Sequence, residues 1–299
     1  MPTPRLSRSP RHLSALCACL ASFTIAAGAL AQAEKQPTPN QQPAPQPAAQ
    51  PAAQPADLPT VDAVVEKFLS AVGGKQAADG VKQFTMKGTL TIPGAGMSGD
   101  LTIWMASDPE RMIMKITLPG MGDIQTGIVG DVGWQSNPMM GTTLIDDKDL
   151  ESMRNESKGV GSDPRTAFDE VAVVGIEPFE GTACVLLRCS KGENVSTQFY
   201  DRESGLLIGS RDKVSSQMGT IEATTVIGDY KEFGAVKVAT KFTSKTMGQS
   251  QVMEFKDVSF DPIDDSIFAL PPEVETLVKQ KKDKGDAAAP AASTANETP

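Results

Sequence analysis

Residues 84 to 92 read Phe-Thr-Met-Lys-Gly-Thr-Leu-Thr-Ile, and this stretch decides the fold class. Phe84, Met86, Leu90 and Ile92 alternate with Thr85, Lys87, Thr89 and Thr91, the period of two that turns one face of a strand to a core and the other to water. The pattern then repeats. Leu101, Ile103 and Met105 share a parity, and so do Met112, Met114, Ile116 and Leu118. Further runs cover residues 171 to 176, 182 to 190, 195 to 200 and 206 to 212, followed by three longer ones at 218 to 230, 236 to 247 and 250 to 260. Their connections carry turn residues, as in Asp201-Arg-Glu-Ser-Gly205 and Phe233-Gly234, so sequence neighbours are expected to pair antiparallel. About ten strands in succession imply one large curved meander, and the fold class is mainly β with a few helices (α+β).

Upstream of the first strand, Val61, Val64, Val65, Phe68, Leu69 and Val72 form a single apolar stripe at helical spacing. Thr60 is placed to cap this helix and Gly73-Gly74 to stop it. Asp146 to Phe168 lacks alternation and reads as a loop with short helical pieces, able to cover one face of the meander.

The ends of the chain differ from its middle. Arg5, Arg8, Arg11 and His12 precede an apolar run from Leu13 to Leu30, and Ala29 and Ala31 fit an A-x-A cleavage site before Gln32, so residues 1–31 read as a secretory signal peptide. Leu16-Cys17-Ala18-Cys19 offers the alternative of a lipid anchor at Cys19, but apolar sequence continues beyond it. Residues 32–59 are Pro, Gln and Ala with closely spaced prolines, a disordered but semi-rigid linker. Residues 279–299 pass from Lys into Ala, Pro, Ser and Thr and read as a disordered tail, leaving residues 60–278 as one domain. Apolar residues make up 39% of the chain, below the about 45–50% of ordinary globular proteins, as two polar ends would produce.

Charge narrows the partners. The formal charge is −9, and removing residues 1–31, which hold three arginines and no acid, takes it to −12. Such a surface repels phosphate backbones, so no nucleic acid is expected. The only histidine also leaves with the leader, which deprives most simple hydrolase mechanisms of their usual base. Cys184 and Cys189 are the remaining cysteines, and in a strand a separation of five residues places them on opposite faces, where neither a disulfide nor a zinc site can form.

Several motifs have plain readings. Gly94-Ala-Gly96-Met-Ser-Gly99 spells G-x-G-x-x-G, but a strand follows it where a dinucleotide site needs a helix, so it is a hairpin tip. Ser210-Arg-Asp-Lys213 matches S-x-x-K, yet in a strand its serine and lysine face opposite sides. Asp146-Asp147-Lys-Asp149-Leu-Glu151 lacks the glycine and terminal glutamate of a calcium loop. No catalytic residue, metal ligand or cofactor is assigned. Methionine is the more informative excess: Met86, Met105, Met112 and Met114 fall in strands, where such flexible side chains fill a core or adapt to irregular apolar ligands. Trp104 and Trp134 fit either the rim of a cavity or the cap of a core.

These residues resemble a known group. The helix from Val61 to Gly74, the strands from Phe84 to Leu118, the Asp131-Val-Gly-Trp134 turn, Phe199-Tyr-Asp-Arg-Glu-Ser-Gly-Leu-Leu207, Gly228-Asp-Tyr-Lys231 with Phe233-Gly234, and Phe268-Ala-Leu-Pro271 follow the order seen in bacterial outer-membrane lipoprotein-sorting proteins, the LolA-like superfamily. The resemblance implies an antiparallel sheet curled into an open half-barrel, covered by helices, with an apolar cavity that shelters acyl chains. It implies an exported, periplasmic, non-enzymatic and monomeric carrier of lipid or lipoprotein acyl chains. The alternative within the same fold is an envelope interaction or lipid-sensing domain acting on a membrane regulator. By strand parity the expected lining is Met86, Leu101, Ile103, Met105, Met112, Met114, Ile116 and Leu118.

Overall fold

The computed structural model describes residues 58–107, 110–147, 149–151, 153–154, 163–192, 194–216 and 219–287. The expected leader, nearly all of the Pro-rich linker and the last twelve residues of the expected tail lie outside them.

Strand formation follows the alternation. β1 is Gln83–Ile92, β2 Met97–Ser107, β3 Glu110–Leu118, β4 Gly122–Val129, β5 Val132–Asn137 and β6 Gly141–Leu144. After a gap come β7 Glu170–Phe179, β8 Thr182–Lys191, β9 Asn194–Asp201, β10 Leu207–Ser216, β11 Gly219–Phe233, β12 Val236–Thr246 and β13 Gln249–Ser259. All thirteen belong to one antiparallel sheet in the order β6-β5-β4-β3-β2-β1-β13-β12-β11-β10-β9-β8-β7. The first and last strands therefore pair at the centre, with Met86 opposite Val258 and Leu90 opposite Met253. Two meanders meet there as an N-terminal wing (β1–β6) and a C-terminal wing (β7–β13). The sheet stays open, with β6 and β7 as its edges although they are consecutive in the chain. Register shifts at Lys87/Gly88, Val173/Gly175 and Leu207/Gly209 each adjoin a glycine, the local bulge that bends a strand.

Three strands, β4 to β6, were not expected. Their sequences, GDIQTGIV, VGWQSN and GTTL, are rich in glycine and polar residues and carry little alternation. Here glycine serves close packing. A Cβ on Gly127 would come within 2.1 Å of the Trp134 ring lying over it.

α1 spans Val61–Ala71, and Thr60 accepts a hydrogen bond from the Ala63 N–H at 3.2 Å, as the capping reading requires. Its Val64, Val65 and Phe68 join Val72 and the apolar side chains of both wings in one hydrophobic cluster, which defines the inner face of the sheet. α2, Lys75–Gly80, leads into β1. On the outer face, Ala106, Ile113 and Trp134 pack with Phe268 and with Val274 of the C-terminal helix Pro272–Ala287. That helix runs nine residues past the expected domain end at residue 278, so the segment 279–287 is ordered helix. Its Lys and Gln residues are good helix formers, and Lys281 pairs with Asp147 at 2.9 Å.

Candidate functional site

The eight side chains expected by parity do converge. Met86 faces Ile103, which faces Met114; Met105 faces Met112; Leu101 faces Ile116. All eight, Leu118 included, belong to the inner cluster, and each is only 1–6% exposed. Phe84 and Ile128 extend the Met105–Met112 row on either side. A Cβ on Gly99 would lie 2.4 Å from the Thr117 carbonyl oxygen and 2.8 Å from the Leu118 side chain, so glycine permits this close approach of β2 and β3. The N-terminal wing thus presents a continuous surface of Met, Ile and Leu. Leu150 is buried against the same cluster, with Ile145 and Met153 partly buried beside it. These belong to the connection between the sheet edges, where residues 147, 149–151 and 153–154 are helical.

A short helix, Pro164–Ala167, follows, capped by Asp163. Arg165 forks between Asp163 at 2.7 Å and Asp62 of α1 at 2.6 Å, tying this segment to the first helix. The two carboxylates raise the guanidinium's already high pKa further, Asp163 contributing most. Lys67 of α1 donates to the Arg202 carbonyl at 2.6 Å, and Phe68 meets Tyr200 edge-on with ring centres 5.5 Å apart.

Across the seam the inner face continues apolar through Leu187, Leu207, Ile227, Phe242 and Phe255, but one row on it is polar. Gln198, Ser210, Thr225 and Ser244 stand opposite one another on β9 to β12 and are 0–1% exposed. Gln251 continues the row on β13. Such groups are tolerated in a core only when they are hydrogen-bonded. Tyr200 donates its hydroxyl to Gln198 Oε1 at 2.7 Å, and the Thr225 and Ser244 hydroxyls lie 3.4 Å apart. Asp212 faces Ser196 in the next row and accepts a hydrogen bond from Ser210 at 2.7 Å. Burial raises its carboxyl above the usual range, against the lowering effect of the Ser210 hydroxyl. Strand periodicity contains this row, since Ser196, Gln198 and Tyr200 share a parity, but polar residues at alternate positions are normally read as the solvent face.

The remaining motifs fall where the sequence put them. Gly96 sits at the tip of the β1–β2 hairpin, and β2 begins at Met97. Ser210 is buried whereas Lys213 is exposed and pairs with Glu222 at 2.8 Å, so the two do not meet. Cys184 belongs to an outer cluster with Phe179, Leu186 and Phe199, and Cys189 to the inner one. Burial pushes the thiol of Cys184 up to about 11 and that of Cys189 up to about 12, which leaves both protonated near neutral pH. Trp104 and Trp134 both face outward, with Trp134 fully buried in the outer cluster, so they cap a core and do not border the inner face.

No family model matches the chain, and no curated protein matches it. Solved structures do. A DUF1329 family protein from Desulfovibrio piger matches 70% of this chain and 97% of its own, at 10% identity and a TM-score of 0.50. The fold is shared with it. A LolA-superfamily protein from Nitrosomonas europaea covers 71% of this chain and 98% of its own at 14% identity and a TM-score of 0.45. A Vibrio parahaemolyticus domain named for outer membrane lipoprotein sorting covers 70% and 97% at 11% identity and a TM-score of 0.41.

Proposed function

We propose that this chain is an exported periplasmic carrier, acting as a monomer and without catalytic residues, that shelters the acyl chain of a lipid or lipoprotein against the inner face of its half-open sheet. The observation that carries the reading is the gathering of Met86, Leu101, Ile103, Met105, Met112, Met114, Ile116 and Leu118 into one apolar surface across β1 to β3. α1 and the helical residues around Leu150 are its cover, because their apolar side chains share that cluster. Since the eight residues are nearly inaccessible, an acyl chain enters by displacing the cover.

The energetics suit a carrier. A buried methylene is worth about 0.8 kcal/mol, so a chain of about 15 carbons gains on the order of 12 kcal/mol before ordering costs. Opening the cover subtracts from that gain and keeps binding reversible, as a carrier that unloads requires. The test is native mass spectrometry with lipid extraction on the protein purified without detergent, followed by titration with a fluorescent fatty acid. A co-purifying acyl species displaced by the probe is the expected result. A protein that emerges empty and ignores the probe overturns the reading and favours an envelope interaction domain.

A further inference from the structure

The two ends of the sheet differ in a way the inner face does not explain. One end of the sheet holds the β8–β9 connection, beside Lys191, the β10–β11 connection and, grouped beyond them in the strand order, the turns β1–β2 (residues 93–96), β3–β4 (119–121), β5–β6 (138–140) and β12–β13 (247–248). In the strand order these are four neighbouring hairpins, β6-β5, β4-β3, β2-β1 and β13-β12. At two strand spacings each, successive tips are about 10 Å apart, and the arc is about 30 Å long. Six large apolar side chains stand exposed among the described residues, and four are on this arc: Met121 (38%), Met139 (72%), Met140 (74%) and Met247 (76%). The sequence around the tips is uncharged over residues 88–99, 116–122, 132–145 and 246–253. The opposite end carries Asp131, Glu180, Arg202 and Glu203 in its turns and no methionine.

We propose that this arc docks the protein onto the surface of an uncharged lipid bilayer. Three of the four tips, β3–β4, β5–β6 and β12–β13, each offer one or two flexible apolar side chains, an arrangement that suits a fluid surface needing no shape complementarity. A protein partner would be expected to meet Tyr, Trp or Arg anchors, and none occurs in those four tip segments apart from Trp134, which is buried on the outer face. The formal charge of −9 disfavours an anionic membrane. The inner face beneath the arc carries Leu90 and Leu118 in the acyl-lining cluster, so an acyl chain would pass from bilayer to protein along apolar surface. In this respect the proposal rests on the carrier reading.

Flotation of the full chain with phosphatidylcholine vesicles tests it. The wild type is expected to float, and the combined variant Met121→Asp, Met139→Asp, Met140→Asp and Met247→Asp to lose at least tenfold of the bound fraction. Leucine at the same four positions should keep binding, and Val174→Asp, exposed on edge strand β7 away from the arc, should not change it. Added phosphatidylglycerol should weaken flotation. A wild type that stays in solution, or aspartate variants that float with it, overturns the proposal. Fatty-acid uptake without vesicles separates the two readings. A chain that takes the probe but never floats loses the arc alone, and one that floats but ignores the probe loses the carrier reading alone.

Discussion

The inner faces of both wings are largely apolar, with Thr126 the buried polar residue on the N-terminal one, but that of the C-terminal wing also carries a buried row of Gln198, Ser210, Thr225 and Ser244 with Asp212 beside it. Both are equally hidden from water, so burial alone does not distinguish them. What differs is how each surface tolerates change. An apolar surface is adaptable because dispersion contacts are non-directional, while a polar row is held to one geometry by its hydrogen bonds. The N-terminal wing is therefore the side suited to a variable acyl chain. The C-terminal wing is the fixed side, against which α1 rests through Phe68 and Tyr200.

The largest expected effect lies at that junction. Phe68→Ala should cost about 3–5 kcal/mol in urea unfolding, because it empties the contact that fixes α1 on the C-terminal wing. A loss of less than about 1 kcal/mol would show that α1 is held elsewhere. Next, nearly isosteric changes should separate the wings. Thr225→Val leaves the Ser244 hydroxyl without its neighbour and should cost about 1–3 kcal/mol. Ile103→Val on the apolar wing should cost only about 0.5–1.5 kcal/mol. Equal losses would break the contrast.

A smaller effect carries a sign that depends on pH. The Asp212 carboxyl is raised in the folded protein, so the native state holds its proton longer than the unfolded chain. Stability then falls as pH rises from the ordinary carboxylate value through the raised one, and the cost is fully present above it. Asp212→Asn should raise the Tm at pH 7 and lose that advantage below the ordinary carboxylate value, as thermal melts across pH will show. The smallest effect belongs to Lys213→Ala, which removes only an exposed ion pair with Glu222 and should leave the Tm unchanged.

Strand parity was legible wherever alternation was strong. It grouped all eight apolar residues on one face and placed Cys184 and Cys189 on opposite faces, while helical spacing with Thr60 and the following glycines set the limits of α1. It failed where local chemistry served a tertiary need. β4 to β6 hide their strand character behind glycines such as Gly127, chosen for the ring of Trp134 above it. The polar row was missed because a serine or glutamine carries no local sign that a neighbouring strand will satisfy it. Residues 279–287 looked like a tail because they are Lys, Gln, Asp, Gly and Ala with no apolar stripe, and only their continuation of the helix that buries Val274 keeps them helical.

The sequence by itself determined the periods, the turns and the sign of the surface charge, because these depend on neighbours within a few residues. Only the tertiary structure decided that the first and last strands meet at the centre, that β6 and β7 become the open edges, and that three methionine-bearing turns align along one end. The central pairing joins residues more than a hundred positions apart and sets the rest of the strand order, and no local pattern encodes which distant strand will complete a ladder.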